Sequence, residues 1–590
     1  MLLVLGLVPL VGSIVVFALP RGRDLLAKQV TLLFSLATLG ITIGLCVAFT
    51  DDSPDRFQFV TSYEWIRALG VSFSLGVDGI ALVLIALTAV LVPSVVIASW
   101  SERDRRVDAE APATAGVAAR AAAAVVSRPA GGAGTTTAVL DRPRDDDDVD
   151  ILAASDTVLV TDADTAPTRV PGTRRGQPKT FFGLLLLLEV MMIGVFAATD
   201  VFLFYVFFEA MLVPMYFLIG SFGGPRRQYA AVKFFLYSLL GGLVMLASVI
   251  GLYFATSART FDFSQLVAGD IDPGLQKWLF LGFFIGFAIK APLVPFHTWL
   301  PDAGAEAPIG AGVLLVGVLD KVGTFGFLRY CLPLFPLASR DLAPLVLTLA
   351  VIGILYGALL AVAQADMKRF VSYTSIAHFG FIALAIFAFS SQAFAGASLY
   401  MVNHGLSTGM LFVMVGTLIS RGGSRMIRDY GGVSKIAPLL AGLFLLAGLS
   451  SLALPGTNSF VSEFLVLLGS YPREPVFTTL ATCGIIFAAL YVLWVYQQTM
   501  QGPLRGAAVL GALERGGGPG AMVDPAVAAR RPDTAFPDLT RREIAVLTPL
   551  VALILVLGFF PGPVLDVITP SVVSTMNEVG LPDPVGGLVK

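Results

Sequence analysis

Apolar residues run in blocks near 20 long, separated by short polar punctuation, along most of the 590-residue chain. A run of that length spans the hydrocarbon core of a bilayer as a helix. The pattern predicts about fourteen membrane helices, near 1–19, 28–49, 78–100, 181–198, 201–220, 229–256, 276–300, 309–333, 342–363, 370–389, 393–419, 436–470, 476–499 and 544–561. Two runs are irregular. The run 276–300 contains Pro292 and Pro295, and the run 436–470 is long and carries Pro455-Gly456 in its middle. Both read as discontinuous helices, which mark ion pathways more often than plain lipid-facing spans.

The polar punctuation sets an orientation. Lys and Arg gather in alternate loops: Arg21, Arg23 and Lys28, then Arg226-Arg227, Lys368-Arg369, and Arg421, Arg425, Arg428 and Lys435. The intervening loops are acidic or neutral, with Asp51-Asp52, Thr199-Asp200, Asp262, Asp270, Asp272 and Ser390-Ser391. By the positive-inside rule the basic loops are cytoplasmic, and an even number of spans puts both termini outside. The first ten residues, MLLVLGLVPL, lack a basic stretch, so they read as a retained first helix and not as a cleaved signal.

Composition agrees: 56% of residues are hydrophobic and 14% charged, against about 25% in a soluble domain. Mean hydropathy is +0.82. An ordinary soluble enzyme and a disordered chain are excluded. Residues 101–179 hold 11 Lys/Arg and 13 Asp/Glu, and residues 502–543 hold 6 Arg and 5 Asp/Glu. The first block is Ala/Thr-rich with a DDDDVD run, and reads as a disordered cytoplasmic insertion. Segment 501–541 reads as a linker containing GGGPG. The expected division is therefore 1–100 (three helices), 101–179 (insertion), 180–335, 336–500, 501–541 (linker) and 542–590 (last helix and tail). Cys46, Cys331 and Cys483 are isolated, and no metal or nucleotide motif is present. No basic stripe suggests nucleic acid.

Outside the two polar blocks charge is scarce, so each buried charge needs a reason. Glu189 and Glu209 lie about ten residues before and after the turn at Thr199-Asp200. At 1.5 Å per residue each is roughly 15 Å deep, half of a 30 Å core. Lys290 precedes the first proline break. Lys290 and Lys321 flank a turn expected near Gly304 at similar depth. Lys233, His297, His378, His404 and Glu463 complete the set, Glu463 following the second break. A charge at the bilayer centre costs about 2.5–3.5 kcal/mol on insertion scales, so such groups face protein or water. Two readings stay open: structural ion pairs and hydrogen-bonded core histidines, or a relay in which buried Lys, Glu and His exchange protons. No nucleophile, metal or cofactor is needed for the second.

The segments around these charges are ATDVFLFYVFFEAMLVPMYFLIG at 198–220, YAAVKFFLYSLLG at 229–241 and FAIKAPLVPFHTWLPDAGAEAPIG from 287. With FVSYTSIAHFGFI at 370–382, NHGLSTGMLFVMVG at 403–416 and NSFVSEFLVLLGS at 458–470, they resemble the antiporter-like, proton-translocating subunits of respiratory complex I. The resemblance is to chain M, on two features. Glu463 stands where the L and N chains generally carry lysine, and no long lateral helix follows the last span, which is about 29 residues from the end. It implies an all-α polytopic fold with two inverted five-helix repeats, each with one discontinuous helix. It implies that Glu209 pairs with Lys290, that Lys321 and His378 connect the halves, and that Glu463 ends the exit path. The insertion 101–179 departs from the compact family pattern.

The implied function is one proton path of a NADH-quinone oxidoreductase, a translocase, in a bacterial plasma membrane. NAD, FMN, iron–sulfur clusters and quinone would belong to partner subunits. The implied neighbours are other membrane subunits of the complex, above all the L-type and N-type chains, and the lipid bilayer. A cation/proton antiporter subunit of the Mrp type, or a membrane hydrogenase-complex subunit, would use the same charges.

Overall fold

The computed structural model describes residues 1–53, 55–100, 177–516 and 536–584. The chain divides into a unit made of residues 1–102 and 176–590 and a second unit, 103–175, which lies outside the described residues with most of the expected insertion. The first unit is a helical bundle. Its elements are α1 Leu2–Ala18, α2 Asp24–Ala48, β1 Gln58–Ile66, β2 Val71–Val77, α3 Gly79–Ala98 and α4 Pro178–Ala197. Then come α5 Val201–Phe222, α6 Arg227–Ala255, α7 Pro273–Lys290, α8 Trp299–Glu306 and α9 Ile309–Leu334. The second half holds α10 Pro336–Val362, α11 Met367–Phe387, α12 Ser391–Gly422, α13 Pro438–Ser451, α14 Asn458–Ser470 and α15 Pro475–Met500. It closes with α16 Ala507–Gly516, α17 Arg541–Phe559 and α18 Gly562–Val579.

Among the described residues, 11 helices are long and apolar enough to cross a membrane, or 12 if one bent pair counts as a span. The sequence count of about fourteen is higher for a physical reason. It included α1, which has 17 residues, and treated each proline-broken run as one crossing. The burial pattern sorts these helices. The most apolar windows of α9, α11 and α12 are 100%, 94% and 94% buried, whereas those of α2, α15 and α17 are 28% buried. The charged residues at issue therefore concentrate where the protein and not lipid surrounds the helix.

Both expected breaks are present. α7 stops at Lys290, the chain crosses residues 291–298 without regular helix, and α8 resumes at Trp299. Prolines at 292 and 295 cannot donate backbone hydrogen bonds, so carbonyls of the preceding turn lose their partners. The Trp299 indole N–H satisfies one of them, donating to the Ile289 carbonyl at 2.8 Å. The second break separates α13 from α14; the Ser450 hydroxyl donates to the Asn458 side-chain oxygen across it at 2.8 Å, and the Asn403 amide of α12 donates to the Asn458 carbonyl at 2.8 Å. The turn expected near Gly304 lies instead at Ala307-Pro308, because Gly304 is inside α8.

Three elements were not expected. β1 and β2 form an antiparallel hairpin in the loop before α3. α16 begins within the expected linker. α18 is an 18-residue helix in what read as a proline-rich tail, with Pro563 in its first turn, where a missing N–H costs nothing. It lies against the start of α3, since a Cβ at Gly79 would overlap the Val567 carbonyl. The Ser571 hydroxyl accepts the Gly79 N–H at 2.9 Å.

Candidate functional site: a buried line of charged and polar side chains

The first half presents a charge pair. Lys290 is the last residue of α7, is fully buried, and its ammonium has no hydrogen-bond partner among the described residues. It sits over the rings of Phe208 and Phe234, 4.8 and 5.8 Å from their centroids. Aromatic faces attract a cation without a hydrogen bond. Glu209, next to Phe208 on α5, is its electrostatic partner, and Oε1 of that carboxylate is buried and unbonded. The carboxylate lies against Gly242 of α6, where a Cβ would overlap it. Glycine leaves space there for the carboxylate, which would have to turn to admit a Cβ.

The rest of the set is hydrogen-bonded except at the step between His404 and His378. Lys321 on α9 is fully buried. Its ammonium contacts Asp320 Oδ1 at 2.9 Å, His404 Nδ1 at 2.7 Å and the Val316 carbonyl, and it lies 5.2 Å from the Phe379 ring centroid. The rings of His404 on α12 and His378 on α11 are 5.3 Å apart. His378 Nδ1 is 2.7 Å from the Tyr400 hydroxyl, which donates to Glu463 Oε2 at 2.8 Å. His378 Nε2 meets the Ser451 hydroxyl at 3.4 Å. One line thus runs from α9 through α12 and α11 to α14, just past the second break.

α9 is wound unusually around this point. Leu315–Leu319 and Phe327–Cys331 are π turns, so Asp320 and Lys321 lie between α-helical and wider segments. Such turns leave carbonyls free and often occur at functional sites. Here Val316 uses its carbonyl to hold Lys321. The helix also approaches the first break closely: a Cβ at Gly323 would overlap the Phe287 carbonyl and the Ala291 nitrogen.

Of the nine residues singled out from sequence, Lys321, His404, His378 and Glu463 fall on this line, and Glu209 faces Lys290. Lys233 is elsewhere. It pairs with Asp302 of α8 at 2.7 Å, and Asp302 also takes Arg369 at 2.6 Å, with these groups 17–28% exposed. His297 lies in the first break, edge-on to Tyr356 with ring centroids 5.3 Å apart. Glu189 is fully buried and neither carboxylate oxygen has a partner. Sequence reasoning missed Asp302, Asp320 and Tyr400. Asp320 could have been found by the scarcity argument that found Lys321. Tyr400 carried no such signal among 14 tyrosines.

Comparison with known proteins follows the same line of helices. Residues 198–488 match the model of the family described as NADH:quinone oxidoreductase/Mrp antiporter, transmembrane. NADH-quinone oxidoreductase subunit M of Mycobacterium tuberculosis is 44% identical over 98% of this chain and 95% of its own length. NADH-ubiquinone oxidoreductase chain 4 of Arabidopsis thaliana is 32% identical over 96% and 95%. Among solved structures, a chain of respiratory complex I from Thermus thermophilus with bound NADH superposes with TM-score 0.76 and 27% identity, covering 98% of this chain and 100% of that one. A chain of the Mrp complex from Dietzia sp. DQ12-45-1b shares the fold, with TM-score 0.71 at 18% identity. By its near-full-length identity to these relatives, the chain belongs to the NADH-quinone oxidoreductase subunit M family.

Proposed function

We propose that this chain carries one proton path of a NADH-quinone oxidoreductase, and that the path uses Glu209, Lys290, Lys321, His404, His378, Tyr400 and Glu463. The observation that carries this reading is the line Lys321–His404, His378–Tyr400–Glu463 through the most buried helices. Every member can bind or release a proton, and hydrogen bonds of 2.7–2.8 Å are the geometry proton transfer needs. The Glu209–Lys290 pair is the loading step: when its ionic state changes, the electrostatic cost of a proton on Lys321 changes with it. Lys233, His297 and Glu189 are the branch residues by which protons reach the pair. The two breaks fall in 180–335 and 336–500, which supports reading those segments as the two inverted repeats.

In this reading NAD, FMN, iron–sulfur clusters and quinone are held by partner subunits. The L-type and N-type chains are the membrane neighbours, the membrane is a bacterial plasma membrane, and both termini are outside the cytoplasm. The test is Glu209→Gln in the assembled complex. Proton uptake by inverted membrane vesicles should vanish and NADH–quinone reduction should fall. Full uptake by an assembled E209Q complex refutes the path.

A further inference from the structure

Asp320 is the one fully buried carboxylate in direct contact with a lysine of the line, among the described residues. Lys321 as an ammonium has three hydrogens and three groups within reach to take them: Asp320 Oδ1, the Val316 carbonyl and, in the tautomer that leaves it unprotonated, His404 Nδ1. Asp320 Oδ2 is buried with no partner. The arrangement is costly unless it does something, because a buried ion pair seldom stabilises more than apolar side chains of the same volume. Adjacent residues on a regular α-helix point about 100° apart. The π turn preceding Asp320 accompanies the close approach of neighbours in sequence.

We propose that Asp320 is a positioning residue of the proton path, the fixed counter-charge that makes Lys321 reload. The inference rests on the path proposed above. When Lys321 passes a proton to His404, an N–H bond breaks at Nζ and one forms at Nδ1. Asp320 is then a buried carboxylate beside a neutral amine, a state that low dielectric penalises heavily. The next proton to arrive is therefore drawn to Lys321 and not left on the first pair. Of the titratable groups on the packed elements, His404 on α12 and His378 on α11 interact electrostatically with Lys321, while α12 also carries Tyr400 and Arg421, α11 Lys368, Arg369 and Tyr373, α7 Lys290, α4 Glu189 and α5 Glu209. The described span of α3 has none. Among the described residues only Asp320 places a negative charge within bonding distance of Lys321.

The test is Asp320→Asn, which keeps the shape and an acceptor but removes the charge. In the assembled complex, proton uptake per NADH oxidised should fall about fivefold, within the range of coupling changes made by single residues. Removing the counter-charge should also move the alkaline limb of the activity–pH profile to lower pH. Asp320→Glu should restore both. If D320N does not assemble, Asp320→Ser is measured instead, with the same outcomes. Wild-type uptake and an unmoved alkaline limb overturn the proposal. Should E209Q pump fully, the path itself fails. Should E209Q be inactive while the Asp320 variant is normal, only the role of Asp320 fails.

Discussion

The two breaks of the bundle hold their charges in opposite ways. At the first, Lys290 rests on aromatic faces and meets Glu209 without a hydrogen bond. At the second, Glu463 is reached through Tyr400 and His378 by hydrogen bonds of 2.7–2.8 Å. A pair without hydrogen bonds can open or close with little rearrangement of its neighbours. A line of hydrogen bonds fixes the route along which a proton can move but is slow to reshape. On the path proposed above, the contrast suits switching at the first break and conduction at the second.

Five substitutions break or sharpen that contrast. Lys290→Met should have the largest effect, because a buried charge left without its partner costs about 3–5 kcal/mol. Vesicle proton uptake should fall by at least about a hundredfold, to background. Tyr400→Phe removes both bonds of the second line at once, at about 1–3 kcal/mol for the polar groups left behind. Uptake should drop about tenfold while the assembled complex is retained on native gels. Gly242→Ala crowds the Glu209 carboxylate without touching charge, an overpacking cost of about 1–3 kcal/mol where the neighbour cannot move away. The carboxylate can turn, so a loss of about threefold is expected at the low end of that range. Gly40→Ala, in open space on α2, should be silent in the same assay. Thr298→Val deletes only a solvent-edge bond to the Tyr237 hydroxyl. It should change thermal stability by no more than about 0.5 kcal/mol and leave uptake intact.

The charged members of both regions were legible in the sequence because charge is rare in apolar spans and each instance stands out. The breaks were legible because proline and glycine interrupt helices by geometry. The links between the charges were not. Tyr400 looks like any aromatic side chain filling an apolar helix, and only its placement between His378 and Glu463 gives its hydroxyl a task. Asp302 escaped notice because it lies beyond the apolar run, yet the helix after the break returns it to Lys233 and Arg369. α18 was hidden by its own prolines, which read as a tail although one sits in a first turn where helices accept it. The hairpin was hidden because its outward strand carries no clean alternation, with several neighbouring exposed positions.

The bond between Ser571 and the start of α3 joins residues 492 positions apart in the chain. Arg56 likewise reaches Glu578. During synthesis the third helix therefore enters the membrane with its first turn unfinished, and the segment that completes it is among the last made. A chain stopped before residue 571 would keep every charge of the proposed proton path and still lack the closure of its own beginning, so a stalled or truncated product is marked as incomplete at its front end.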